Sequence, residues 1–126
     1  MELDRSGSAL DIQELLSVRE RIDTLLANQH EGTQPRADLI DVGDSYRLLM
    51  EVPGLREENL EIALDDQDLL VAGIRDDYSQ EVEYIMNERQ TGPFQRSFHL
   101  PEPVDGTVTS AHLQQGLLVV VIPKSR

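Results

Sequence analysis

The stretch AHLQQGLLVVVIPK, residues 111–124, decides the fold. Six aliphatic residues follow one another at 117–122, after a turn that ends at Gly116, where a positive φ costs little. With residues 107–113 before the turn, this run predicts a hairpin of two strands. Because its apolar residues occupy consecutive positions, we expect the run to be a central strand that is buried on both faces.

Upstream of this hairpin, apolar and polar residues alternate with the period of two that is typical of half-buried strands. The first such segment, residues 46–52, ends at Pro53. Two more, joined by the acidic turn DDQD, predict a hairpin over residues 59–75. A short strand is expected at 82–86, and another carries three apolar residues on one face: Phe94, Phe98 and Leu100. These short strands predict an all-β sandwich.

The first 34 residues predict a helical arm and a polar linker. Ser8 is a suitable N-cap, with Asp11 in the first turn. Apolar residues then recur at a helical spacing from Ile12 to Leu26. The linker NQHEGTQPR, residues 28–36, contains a glycine and a proline. A helix on such a tether can pack on its own domain or reach a neighbouring molecule.

Composition and charge exclude several classes of function. The 126 residues include 24 acidic and 11 basic side chains, a net charge of −13 that repels nucleic acids and anionic membranes. The absence of cysteine excludes disulfides and thiolate chemistry. The chain starts without the basic and apolar regions of a signal peptide, and no stretch approaches the roughly 20 apolar residues of a membrane span. We therefore expect a cytoplasmic protein.

No catalytic, cofactor-binding or metal-binding site is predicted, so we expect no enzymatic activity. The three histidines, His30, His99 and His112, lack partners at a metal-ligand spacing. The turn DDQD lacks the glycine and the terminal glutamate of a calcium loop. Neighbouring carboxylates such as Glu57 and Glu58 lie in a predicted loop and form no catalytic dyad, and no nucleophile, phosphate-loop or dinucleotide motif occurs.

Arg96 stands between Phe94 and Phe98, at the spacing that places all three on one face of a strand. A guanidinium on the buried side is costly to desolvate unless it is paired. Arg96 therefore either finds a carboxylate or a set of carbonyl groups, or lies at the surface.

Three blocks of sequence resemble the α-crystallin domain of bacterial small heat-shock proteins. PRADL, followed by YRLLMEVPGLREENLEI, resembles the start of that domain; ERQTGPFQRSFHLP, residues 88–101, resembles its middle signature; and residues 111–124 resemble its closing signature. The resemblance covers residues 35–124, after the arm and linker of 1–34 and before a vestigial tail of 125–126. It implies a seven- to eight-stranded immunoglobulin-like sandwich.

The resemblance also implies a homodimer formed by strand exchange of the loop at 76–93. In such a dimer the loop reaches the partner and adds the strand 82–86 to its sheet. An irregular excursion of 18 residues is unusual in a compact domain unless something orders it, and exchange also covers a sheet edge. The implied interface residues are Val82, Tyr84, Met86, Glu88, Arg89 and Arg96.

The implied activity is ATP-independent holding of unfolding client proteins, with hand-over of clients to ATP-dependent chaperones as a further expectation. Such a holdase covers the apolar patches that a client exposes, while the net negative charge keeps the complex dissolved. One candidate surface, the arm surface, consists of Leu10, Ile12, Leu15, Leu16, Ile22, Leu25 and Leu26. The other, the groove surface, consists of Leu60, Ile62, Leu64, Leu113, Leu117 and Val119. We expect the arm surface to contribute more.

Family members usually carry a tail with an Ile-x-Ile motif that docks into the groove of a neighbouring dimer. Here only Ser125 and Arg126 follow Lys124. The expectation is therefore a dimer or small assembly whose groove is open to clients.

Two other interpretations compete with the holdase. One is a co-chaperone or adaptor sandwich that docks on an ATP-dependent chaperone, and the other is an enzyme with an acidic cleft. The signature at 88–101 and the length of the exchange loop favour the holdase. A client-aggregation assay without ATP or any partner separates the holdase from the adaptor.

Overall fold

The structure is a computed structural model that describes residues 8–9, 12–13, 34–75, 82–89 and 91–125. Within these ranges the chain forms nine strands: β1 (Ser8–Ala9), β2 (Ile12–Gln13), β3 (Ala37–Asp41), β4 (Ser45–Glu51), β5 (Leu60–Asp65), β6 (Asp68–Arg75), β7 (Gly92–His99), β8 (Ser110–Gln114) and β9 (Leu117–Pro123). Short 3-10 helices at Glu57–Asn59 and Gly106–Val108 precede β5 and β8.

The strands form two sheets that pack face to face. Sheet A has the order β1-β8-β9-β4-β3, and sheet B has the order β2-β5-β6-β7. Neighbouring strands are antiparallel except for β2 and β5, which run parallel. The predicted all-β sandwich is confirmed.

The core lies between the inner faces of the two sheets. Sheet A contributes alternate residues of β4 and β9, and sheet B contributes alternate residues of β5 and β6 together with Phe94 of β7: Tyr46, Leu48, Met50, Leu118, Val120, Ile122, Leu60, Ile62, Leu69, Val71 and Phe94. The central position of β9 is confirmed. On its outer face Val119 is only 4% exposed, whereas Leu117 and Val121 are half-buried.

Two predicted hairpins are confirmed, each with a residue in the left-handed region. The β5–β6 turn has Asp66 at φ 56°. The β8–β9 turn has Gln115 at φ 48° and Gly116 at φ 80°, as a two-residue hairpin turn of the favoured twist requires.

The strand predicted at 107–113 starts later than expected, at Ser110. Asp105 accepts hydrogen bonds from Thr107 N at 3.0 Å and from Thr107 Oγ1 at 2.6 Å. These local bonds give the backbone an alternative to the sheet ladder, so residues 106–108 form a 3-10 helix instead.

Two other expectations differ from the structure. The helix predicted to start at Ser8 is wrong for the described residues of the arm, because Ser8–Ala9 and Ile12–Gln13 are strands that pair with β8 and β5. The rest of the predicted helix, and the predicted linker up to residue 33, lie outside the described residues. Residues 82–86 belong to none of the nine described strands. The exchange that was expected for them involves a second chain.

Candidate functional site

The first candidate surface is the outer edge of β3. This strand is last in sheet A and pairs with β4 alone among the described strands. Leu39 and Ile40 of β3 and the following Val42 are 38%, 39% and 43% exposed. An apolar strand edge of this kind is a template for another strand.

Residues 82–86 are a second apolar surface on the same chain. Ile85 is fully exposed and Met86 is 71% exposed, and the predicted interface residues Val82 and Tyr84 are exposed as well. Ile85 was missed by the sequence prediction, which selected alternate positions and so passed over the apolar side chain that is most exposed in the described part of the chain. A segment of this composition is unfavourable in water unless a partner covers it.

Glu88 and Arg89, also predicted at the interface, lie exposed beside the turn that follows β4. With Pro53, Gly54 and Arg75 they line an open cavity of about 460 Å³. The Nε atom of Arg75 is buried there without a hydrogen-bond partner among the described residues. Sequence reasoning missed Arg75, since it is the last residue of a strand that was read for its apolar residues alone.

Arg96 pairs with a backbone carbonyl, one of the outcomes the sequence left open. Its Nη1 atom donates a 2.7 Å hydrogen bond to Pro35 O, and its guanidinium lies 5.0 Å from the centroid of the Phe98 ring. Both contacts favour the charged group at a half-buried position. Arg96 therefore joins β7 to the segment that leads into β3.

The groove surface is only partly assembled by the fold. Leu64 of β5 and Leu113 of β8 are half-buried and pack against the core, so both lie along the open side of the sandwich between the two sheets. Leu60 and Ile62 share this side but are buried, and Ile62 is 0% exposed. We call this side, between β5 and β8, the seam.

Leu117 and Val119 do not belong to the seam, and their assignment to the groove surface is corrected. Leu118 belongs to the core and is the register partner of Leu113. Adjacent residues of a strand point to opposite faces, so Leu117 and Val119 lie on the outer face of sheet A.

The seam is not open along its whole length, contrary to the expectation of a free groove. Ser8 and Ala9 are the antiparallel partners of Leu113 and His112 on β8. Ile12 and Gln13 are the parallel partners of Ile62 and Ala63 on β5. One short stretch of chain thus pairs with the facing edge strands of both sheets. The remaining residues of the arm surface lie outside the described residues: Leu10, Leu15, Leu16, Ile22, Leu25 and Leu26.

Lys124 joins the end of β9 to the end of β3. Its Nζ atom lies 2.9 Å from Glu102 Oε2 and 3.0 Å from Asp41 Oδ1, and 4.9 Å from the centroid of the Tyr46 ring. The bonds to Glu102 and then Asp41 raise the pKa of Lys124. A hydrogen bond from Gly43 N, followed by that from Lys124, lowers the pKa of Asp41.

The described histidines show no metal-binding arrangement. His99 Nδ1 lies 2.8 Å from Asp68 Oδ1 at the surface, and His112 Nδ1 is buried without a hydrogen-bond partner among the described residues. No three potential metal-ligating side chains converge within that part of the chain. His30 lies outside it. None of the helices described there has the length and apolar character that a bilayer crossing requires.

Comparison with known proteins identifies the family. The model of the Hsp20/alpha crystallin family matches residues 38–126. The chain belongs to this family. Small heat shock protein C2 of Rickettsia felis is 34% identical over 92 residues, which cover 71% of this chain and 60% of that protein. A 17.7 kDa class II heat shock protein of Arabidopsis thaliana is 33% identical over 92 residues, covering 70% and 59%. The chain thus spans about 60% of the length of these relatives.

Solved structures of small heat shock proteins share the fold. Heat shock protein 16.0 of Schizosaccharomyces pombe superposes with a TM-score of 0.69 at 26% identity, covering 75% of this chain and 89% of that one. A small heat-shock protein of Xylella fastidiosa superposes with a TM-score of 0.68 at 28% identity, covering 76% and 90%. The family likeness drawn from three sequence blocks is therefore confirmed.

Proposed function

We propose that this member of the Hsp20/alpha crystallin family is an ATP-independent holdase, which binds the apolar segments of unfolding proteins and prevents their aggregation under stress. Family membership supports a chaperone role in stress. The observation that carries the mechanism is the seam, where two short strands, β1 and β2, pair with strand edges of both sheets. An unfolding protein offers extended apolar segments of the same kind.

Side chains along the seam give such a segment an apolar contact. Leu64 and Leu113 are half-buried at its two sides, above the buried Leu60 and Ile62. At one end of the seam, an open cavity of about 370 Å³ is lined by Leu55, Arg56, Glu57, Glu58, Leu113, Gln115 and Gly116. Strand pairing is independent of client sequence and apolar contact is non-directional, so together they suit a partner that varies.

We propose further that the working unit is a homodimer made by strand exchange. Residues 82–86 expose apolar side chains, above all Ile85 and Met86, and β3 has an apolar edge that none of the other described strands covers. The loop of one molecule can cover the β3 edge of the other, and a two-fold exchange covers both edges with both loops. The Xylella relative, for its part, has a distinct high order structure.

The net charge of −13 supports the same function. A client covered by several such molecules carries a strongly anionic outer surface, and mutual repulsion keeps the complexes from coalescing.

The test is the turbidity of a heat-labile enzyme, warmed with purified full-length protein and without ATP or another chaperone. We expect aggregation to be suppressed in proportion to the amount of protein. Leu113→Glu should weaken the suppression because it places a charge in the seam, whereas Val108→Glu, at a 55% exposed site on the 3-10 helix before β8, should not. Leu60 is unsuitable for this test, because a charge at a buried position would unfold the domain.

Unchanged turbidity at molar excess would contradict the holdase proposal. Suppression that appears only after addition of an ATP-dependent chaperone would support the adaptor interpretation instead. Full activity of folded Leu113→Glu would assign the client site to the arm surface, from which the larger contribution is expected.

A further inference from the structure

We propose that three arginines, Arg36, Arg75 and Arg89, form a binding site for an oxyanion of the phosphate class at one end of the sandwich. This site goes beyond the proposed function and does not depend on it. The starting observation is that the three side chains line two adjoining cavities, which share Pro53 and Arg75. We call the two cavities together the arginine cleft.

Both sheets contribute to the arginine cleft. Arg36 stands directly before β3, and Pro53 lies two residues after β4, so both belong to the end of sheet A. Arg75 is the last residue of β6 in sheet B, and Arg89 lies three residues before β7. The cavity between Arg36 and Arg75 has a volume of about 560 Å³, and the one between Arg75 and Arg89 about 460 Å³. Cavities of this size are large enough for a small ligand.

The three arginines are basic groups without an acidic partner. Within the part of the chain that the structure describes, none of them forms an ion pair or a side-chain hydrogen bond. By contrast, Arg56, Arg96 and Lys124 each have an ion-pair or hydrogen-bond partner. The Nε atom of Arg75 is also buried without an acceptor. A buried donor of this kind is unfavourable, and it indicates a position where a water molecule or a ligand supplies the missing acceptor.

The backbone holds the three arginines in place before any ligand binds. The carbonyl oxygen of Arg36 accepts a 3.0 Å hydrogen bond from Glu51 N, and Arg75 belongs to the ladder between β6 and β7. A Cβ atom at Gly54 would lie 3.7 Å from Nη2 of Arg89, so this guanidinium lies against the turn that follows β4. Because less freedom is lost when a ligand binds to such a site, the arrangement favours affinity.

The chemistry of the cleft favours phosphate over carboxylate. A guanidinium donates through a planar fork that matches the oxygens of either group. Glu51 and Glu88 also line the cleft, yet neither forms an ion pair with the arginines in the described part of the chain. A carboxylate has two oxygens in one plane, whereas a phosphate group directs its oxygens tetrahedrally and can accept from several forks at once. Since the two cavities adjoin, a ligand with linked phosphate groups can contact all three arginines.

Calorimetric titration of the full-length protein with inorganic tripolyphosphate, in metal-free buffer of constant ionic strength, tests the site. We expect saturable binding that Arg75→Gln weakens at least about tenfold, because hydrogen bonds between charged groups are strong. Arg36→Gln and Arg89→Gln, at exposed positions, should weaken it in the same direction. These two variants also decide the question if circular dichroism shows that Arg75→Gln is unfolded. No binding by the wild type, or unchanged affinity in the folded variants, would overturn the proposal.

Charge-matched variants separate the site from the net charge. Arg56→Gln removes an equal charge from an exposed position that lines neither cavity, and should change the affinity less than about twofold, since salt screens distant exposed charges. Glu51→Gln and Glu88→Gln each remove a negative charge from the lining, so each should strengthen binding about twofold to fivefold. Glu57→Gln, outside both cavities, is their control. Equal effects inside and outside the cleft would show that binding follows net charge alone, and would overturn the site.

Two further measurements test the ligand class and the competing role of a second copy. Citrate, a tricarboxylate, should bind more weakly than tripolyphosphate, and equal affinity would overturn the phosphate class. Sedimentation of the same variants reports on dimers. If the three Arg→Gln variants dissociate the dimer while the wild type binds no tripolyphosphate, the arginines pair with acidic residues of a second copy and the oxyanion site is overturned. The titration needs no client protein, so its result stands whether or not the holdase proposal holds.

Discussion

The guanidinium of Arg96 donates a 2.7 Å hydrogen bond to the carbonyl oxygen of Pro35, which lies 61 positions earlier in the chain. Arg96 belongs to β7 in sheet B, and Pro35 lies two residues before β3 in sheet A. The bond therefore connects the two sheets at the point where the chain enters the proposed exchange edge.

Replacement of Arg96 by methionine should destabilise the domain, because the Pro35 carbonyl loses a charged donor. Hydrogen bonds to charged groups contribute roughly 1.5–3 kcal/mol, so we expect a loss of that order in the free energy of unfolding. Arg96→Lys keeps the charge but not the planar donor group, and should recover only part of it. Urea denaturation measures both variants, and wild-type stability of Arg96→Met would show that the bond contributes nothing.

Gly73 is predicted to tolerate no side chain. A Cβ atom at this position would lie 2.7 Å from Asn59 O and 2.8 Å from Phe94 Cζ, although the backbone is in an ordinary conformation for any residue. We expect Gly73→Ala to lower the free energy of unfolding by roughly 1–3 kcal/mol through overpacking. At the matched control, Gly106→Ala, the nearest atom is Leu64 Cδ2 at 3.5 Å, and stability should change little. Similar denaturation midpoints for the two variants would contradict this.

Local sequence patterns predicted the strands well, because strand periodicity records which face is buried. The alternation at 46–52 and the aliphatic run at 117–122 both gave core strands, β4 and β9. Pattern reasoning failed at residues 8–9 and 12–13, where a helical spacing of apolar residues competes with two available sheet edges and the chain pairs with those edges. Propensity is a weak signal when the tertiary structure offers a partner.

The candidate surfaces were harder to predict than the fold. Leu117 and Val119 were grouped with Leu113, but the turn at Gln115 sets a register in which Leu118 shares the face of Leu113. Which residues of a hairpin share a face depends on the turn as much as on the pattern. The ion pair between Lys124 and Asp41 joins residues that are 83 positions apart in the chain, so no local sequence pattern predicts it.

The Lys124 link predicts a pH dependence of stability. Hydrogen bonds from Gly43 and Lys124 hold the pKa of Asp41 below its usual value of 3.8. The ionised carboxylate therefore stabilises the folded state at pH values above 3.8, and this stabilisation is lost as pH falls through the lowered pKa. Asp41→Asn should therefore lower Tm at about pH 6, and the difference from wild type should shrink as pH falls toward about 2. Asp38→Asn, an equal change of charge on the same strand, is the control. An effect of Asp41→Asn that is independent of pH would contradict the assignment.

The proposed exchange predicts that charges in the loop dissociate the dimer without unfolding the domain. Ile85 and Met86 are exposed within one chain, so aspartate at both positions should change the stability of the isolated chain little. In the exchanged dimer the same two charges would be buried against the apolar edge of the partner's β3, which is unfavourable. We expect the dissociation constant of Ile85→Asp/Met86→Asp to rise at least about tenfold, equivalent to ~1.4 kcal/mol. Sedimentation over a range of concentrations measures it. Ile40→Asp should act likewise from the receiving strand, whereas Val108→Asp, at an apolar position 55% exposed on the 3-10 helix before β8, should leave the dimer intact. Equal dissociation constants for wild type and for folded loop and edge variants would show that residues 82–86 and β3 do not meet across a dimer.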